Sequence, residues 1–167
     1  MPTLHEWADW LESTPIGTAI AESRFAFPII EGIHLIALSV SVGLIFLTDL
    51  RLIGLILRNV PVIDVLRHLR VYVLGGFALV FLTGGLLFWA EAVAVVESPA
   101  TPFKFAFMLL AGINAVYFEF VVARRPEIIE ARERLPVAAR FAGYASLSLW
   151  TLVIIFGRLI AYIPHWS

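Results

Sequence analysis

The ionisable residues that fall inside apolar sequence are few, and they set the problem. Glu31 and His34 lie in the run from Phe27 to Gly54, which reads F-P-I-I-E-G-I-H-L-I-A-L-S-V-S-V-G-L-I-F-L-T-D-L-R-L-I-G. They are three residues apart, so on a helix they share one face. A charged group in hydrocarbon costs at least ~2.5 kcal/mol on insertion scales, so such residues turn to a packed interior or a wet cavity and carry function by default. Arg158, with apolar residues on both sides, needs a carboxylate or an anionic ligand, and Glu31 and Glu91 are the available partners. Trp89 and Tyr162 fall at a similar depth. The set reads as a pocket: His34 as ligand or proton acceptor, Glu31 as its orienting or proton-relay partner, Arg158 as anchor for an anionic group, Trp89 and Tyr162 as walls beside Glu91.

Several chemistries can be tested against this set. A haem b held by two histidines needs both imidazoles at one depth. His34 and His68 belong to opposite ends of a bundle, roughly 20 Å apart by helix rise, so they cannot share one haem; His34 could ligate alone or with a less usual partner, and His68 could do so on the inner side. A di-iron carboxylate site needs two Glu-x-x-His motifs, and the chain has one, at Glu31 and His34. A single metal ion could take His34 and Glu31, with Glu91 as a third ligand. A quinone or other flat apolar ligand needs a slot between helices, aromatic walls and proton-exchanging groups, which His34, Glu31, Tyr162 and Trp89 supply. The same cluster also reads as charge pairing that holds helices together.

These residues need a membrane fold to position them. Of 167 residues, 60% are hydrophobic and 15% charged, with a mean hydropathy of +0.91; soluble chains carry about 25% charged residues. The stretch between Pro28 and Thr48 has the ~20 residues needed to cross ~30 Å of hydrocarbon. The expected fold is an all-α four-helix transmembrane bundle forming a single membrane domain, with spans at about 28–48, 71–90, 103–122 and 137–162. Residues 1–25 are expected to form interfacial helices. Thr3 and Glu6 have capping-box spacing, Leu4, Trp7, Ala8 and Leu11 share a face, and Thr14-Pro15 reads as an N-cap followed by proline at the first helical position. The absence of cysteine excludes disulfides and thiolate sites. The first two dozen residues lack a basic region and carry Glu6, Asp9, Glu12 and Glu22, so insertion is expected to be driven by the spans themselves.

The connections supply topology. Nine of the 12 Lys and Arg lie in or beside two of them: Arg51, Arg58, Arg67 and Arg70 after the first span, and Arg124, Arg125, Arg132, Arg134 and Arg140 after the third. The positive-inside rule makes those connections cytoplasmic and both termini external, periplasmic in a bacterium. Nucleic acid is not an expected partner of a chain with net charge -1. On the inner side, Asp49 and Arg51 are expected to pair with Arg140 or Glu119, Glu119 to bridge to a cytoplasmic-side arginine, and His68 to be a solvated loop residue. A charged surface helix is expected between Pro126 and Pro136, with Glu130 four residues before Arg134.

W-L-E-S-T-P-I (Trp10 to Ile16), E-G-I-H (Glu31 to His34), D-L-R-L-I-G (Asp49 to Gly54), the glycine-rich second span ending at Glu91, the Asn114 region and G-R-L-I-A-Y (Gly157 to Tyr162) together resemble a family of small four-span bacterial inner-membrane proteins of unknown function. The resemblance covers nearly the whole chain and implies fold and location rather than a reaction. In plan the chain is also similar to four-helix b-type cytochromes, whose paired histidines it lacks; where relatives often carry a histidine near the end of the third span, it has Glu119. Three functions follow as expectations. The first is a small redox or cofactor-binding module with haem, metal or quinone in the outer-leaflet pocket. The second is a non-catalytic accessory or assembly subunit with membrane or periplasmic protein partners. The third is a small proton-coupled carrier, for which no internal repeat provides alternating-access machinery.

Overall fold

In the computed structural model, residues 3–125, 128 and 135–162 are described, and among them every regular element is helical. The elements in chain order are α1 (Leu4–Glu12), α2 (Pro15–Ala21), α3 (Ala26–Ile53), α4 (Val62–Ala90), α5 (Ala92–Glu97), α6 (Thr101–Tyr117), continued by a π-helical turn (Phe118–Val122), and α7 (Val137–Tyr162). The four long helices, the third counted through Val122, are each long and apolar enough to cross a membrane. The charged helix anticipated between Pro126 and Pro136, and the tail with His165 and Trp166, lie outside the described residues.

Local chemistry explains the boundaries. Pro28 falls in the first turn of α3, where its missing N–H would have no helical partner anyway. The helix ends at Gly54, whose φ of 83° is left-handed. The Gly54 N–H donates to the Arg51 carbonyl at 3.0 Å and the Leu55 N–H to that of Leu50 at 2.9 Å, the paired bonds of a Schellman stop. The first span therefore runs one turn beyond the expected 48. The second begins at Val62, well before the expected 71. Pro61 starts it, and the apolar stripe Val62, Val65, Leu66 and Leu69 outweighs the intervening Asp64, Arg67 and His68. His68 is thus an exposed helical residue rather than a loop residue, with its Nδ1 2.7 Å from the Asp64 carbonyl.

The bundle is organised around α3 and α7. These two pack together, α4 packs on α3, and α6 packs on α7. Close approach depends on missing side chains. A Cβ on Gly143 would stand 3.1 Å from both the Asp49 carbonyl oxygen and Leu52 Cβ, and one on Gly76 would overlap the Ser41 hydroxyl. In the middle, Val42, Ala111, Trp150 and Val153 form the core, with Phe77 and Trp150 ring centroids 4.9 Å apart. At one end, Leu52, Val62, Phe118, Val122, Ala139 and Ala142 close the bundle; this basic end carries Arg51, Arg58, Arg67, Arg70 and Arg124. At the other, cap end, α1, α2 and α5 fold over α4 through Ala8, Leu11 and Ala92. Large side chains such as Ile36, Leu74, Leu82, Leu109 and Ile113 face outward, the surface a bilayer requires.

Candidate functional site at the cap end

His34 is held by α4. Its Nδ1 lies 2.9 Å from Thr83 Oγ1. The Thr83 hydroxyl donates its proton to the Leu79 carbonyl at 2.7 Å, and a hydroxyl has one proton to give. With that proton on the Leu79 carbonyl, the Nδ1–Oγ1 bond is donated by the imidazole. In that arrangement neutral His34 carries its proton on Nδ1 and leaves the Nε2 lone pair as the acceptor or ligand atom. Gly84 makes room for the ring: a Cβ there would meet His34 Cε1 at 3.0 Å.

Lys104 is a second group at this level of the bundle. Its side chain lies across Gly157 of α7, with Cε 3.5 Å and Nζ 3.7 Å from where a Cβ would stand. From α6 it thus reaches across to α7, near enough for its charge, like that of Glu31, to act on His34. On the same two helices Phe103 stacks on Phe156 at 5.3 Å, and Phe107 contacts the same ring at 5.4 Å.

The remaining anticipated residues go elsewhere. Arg158 does not pair with Glu31 or Glu91. It is exposed, donates to the Tyr162 hydroxyl at 2.8 Å and lies over that ring, one turn along the same helix. Residues four apart meet locally without crossing to another helix. The Trp89 indole donates to Thr14 Oγ1 at 2.8 Å, which pins α2 to α4. Glu12 accepts from the Val93 N–H at 2.8 Å, fixing α1 to α5. Glu91 follows α4 near Glu31 and Glu12; burial, then the charges of those two, push its carboxyl above the ordinary glutamate range. Among the described residues no three His, Asp or Glu side chains gather as a metal site.

At the basic end the expected Asp49 and Arg51 pairing with Arg140 or Glu119 does not form. Positions 49 and 51 point to different sides of α3. Arg51, fully buried, donates from Nε to the Val60 carbonyl at 2.9 Å and clamps the connection after the helix. Arg140 is exposed. Glu119 does bridge to an arginine, Arg70 of α4, while Arg124 stacks on Phe120.

Sequence reasoning missed Thr83 as the partner of His34. The available signal was the glycines: Gly84 and Gly157 each leave a notch that a polar side chain from a neighbouring helix occupies.

Fold and site define a small polytopic helical membrane protein with a polar cluster between its spans. Within that class, the chain belongs to a family described as "Family of unknown function (DUF6644)", which matches residues 4–163. No curated protein and no solved structure matches it.

Proposed function

We propose that this membrane protein is a small redox-associated binding module that holds a flat, hydrogen-bonding ring of the quinone type beside His34. The observation that carries the reading is the His34–Thr83 contact, with the Thr83 hydroxyl turned to the Leu79 carbonyl, an arrangement that spends Nδ1–H on Thr83 and leaves Nε2 as acceptor. Such an acceptor suits a ring hydroxyl, the Lys104 ammonium suits a ring carbonyl, and Phe103, Phe107 and Phe156 offer apolar walls. Haem is favoured less, because among the described residues no second imidazole faces His34, and a metal ion less still, because among them the carboxylates do not converge. The proposed orientation puts the cap end outside and the basic end in the cytoplasm of a bacterial inner membrane.

The test is a titration of a short-tailed quinone into the detergent-purified protein, read by tryptophan fluorescence quenching. Saturable, stoichiometric quenching that His34→Ala abolishes and Lys104→Gln weakens is the expected result. A reduced-minus-oxidised visible spectrum of the same sample reads the haem alternative: a Soret shift and α-band lost in His34→Ala would replace quinone by haem.

The accessory-subunit reading rests on a different observation. The cap is pinned by Trp89 to Thr14 and Glu12 to Val93, and it leaves Leu4 and Trp10 more than 60% exposed. With no quinone binding and no haem, co-purification with a membrane or periplasmic partner becomes the expected behaviour.

A further inference from the structure

Asp49 lies outside the cap-end site, about 22 Å from His34 along α3 at 1.5 Å per residue. It is one turn inside the basic end of the helix and 4% exposed. Its Oδ2 has no hydrogen-bond partner, and the Ser146 hydroxyl of α7 is the group that faces the carboxyl. The charged groups on the surrounding elements are committed elsewhere. Arg51 of α3 turns to the Val60 and Arg58 carbonyls, Glu119 beyond α6 pairs with Arg70 of α4, and Arg140 of α7 is exposed, as are Asp64, Arg67, Arg124 and Arg125.

A carboxylate in this position would be a buried charge with no cation among the described residues in contact. Membrane interiors resolve that situation by keeping the group neutral, that is, by binding a proton. The surroundings are polar but uncharged: Ser146 is buried beside it, and Asn114 of α6 donates to the Ala142 carbonyl at 3.1 Å, one turn along α7. The π-helical turn Phe118–Val122 lies one turn beyond Asn114. Such turns replace the regular helical bond pattern and recur at functional sites. Gly143 lets α7 close directly on the Asp49 backbone.

We propose that Asp49 is a proton-binding site: its carboxyl holds a proton in the resting protein and exchanges it with water at the basic end, one helical turn away. The inference is independent of what binds at His34.

Infrared difference spectroscopy of the full chain in detergent or liposomes tests it. At neutral pH the wild type is expected to show a carboxylic-acid C=O band that Asp49→Asn removes and that shifts down in D2O. Absence of the band, or its survival in Asp49→Asn, overturns the proposal; so does a band that never shifts in D2O, which would mark a sealed structural acid. If Asp49→Asn does not fold, wild-type protein labelled with heavy carbon at the aspartate carboxyls gives the same reading. Its three aspartates are Asp9, Asp49 and Asp64, and the outer two are exposed. One labelled carboxylic-acid band beside two carboxylate bands is expected, and three carboxylate bands overturn the assignment.

Discussion

Glu91 gives the cap end a pH response with a definite sign. Burial, then Glu31 and then Glu12, raise its folded-state pKa above the ordinary value of 4.5. The folded protein therefore binds this proton more tightly than the unfolded chain. Below 4.5 both states are protonated and the folded state bears no penalty; as pH rises through the raised folded value, Glu91 ionises against two like charges and stability falls. Glu91→Gln should match the wild type below about pH 4 and be the more stable protein by about pH 7. Thermal unfolding in detergent across that range checks this, and equal curves at every pH would show that water screens the three carboxylates from one another. At this scale the sequence was partly legible. His34 stood out as an imidazole inside an apolar run. Its partners did not, because hydropathy fixes depth along a helix but not rotation about its axis, and Arg158 satisfied itself on Tyr162 instead of reaching across.

At the scale of elements, the α1–α2 hairpin is a small rigid cap whose sharp corner depends on Gly17. A Cβ there would meet the carbonyl oxygen of Glu12 at 2.5 Å and that of Leu11 at 2.9 Å. Both are backbone atoms that cannot turn aside, unlike the flexible tip of a side chain. Gly17→Ala should cost about 1–3 kcal/mol through overpacking, spent by opening the hairpin rather than by unfolding the long helices. Limited proteolysis or hydrogen exchange over residues 3–25 is expected to show the loss, with helicity of the four spans unchanged; protection equal to wild type would mean that the corner relaxes without undocking. Both N-caps here were legible. Thr3 and Glu6 close the capping box, with the Thr3 N–H bonded to Glu6 Oε2 at 2.7 Å, and Thr14 caps α2 before Pro15. The start of α4 was not legible, because its first two turns mix arginine and histidine with an apolar stripe that only tertiary packing reveals. Nor was the π-helical turn, since Phe118 to Val122 continues an apolar pattern compatible with an ordinary α-helix.

For the whole molecule, the two ends of the bundle differ in charge. The cap end gathers Glu6, Asp9, Glu12, Glu22, Glu31, Glu91 and Glu97 against Arg24, Lys104 and Arg158, whereas the basic end carries Arg51, Arg58, Arg67, Arg70, Arg124, Arg125 and Arg140. Four spans in alternating direction put both chain termini on the cap side, so a single orientation decides the sidedness of every residue. Insertion retains Lys and Arg of short connections on the cytoplasmic face, while acidic residues contribute little. The connections after α3 and after the π-helical turn are short, and nine of the 12 Lys and Arg lie in or beside them, so they should stay inside and leave α1, α2 and the end of α7 outside. In a bacterial host, an alkaline-phosphatase fusion after residue 162 should be active, and a green-fluorescent fusion at the same point should be dark. Fusions in the connection after Ile53 should give the reverse pattern. A fluorescent C-terminal fusion would turn the bundle over, exposing His34 and Lys104 to the cytoplasmic leaflet and opening Asp49 toward the outside, and the direction of any proton exchange at Asp49 would invert with it.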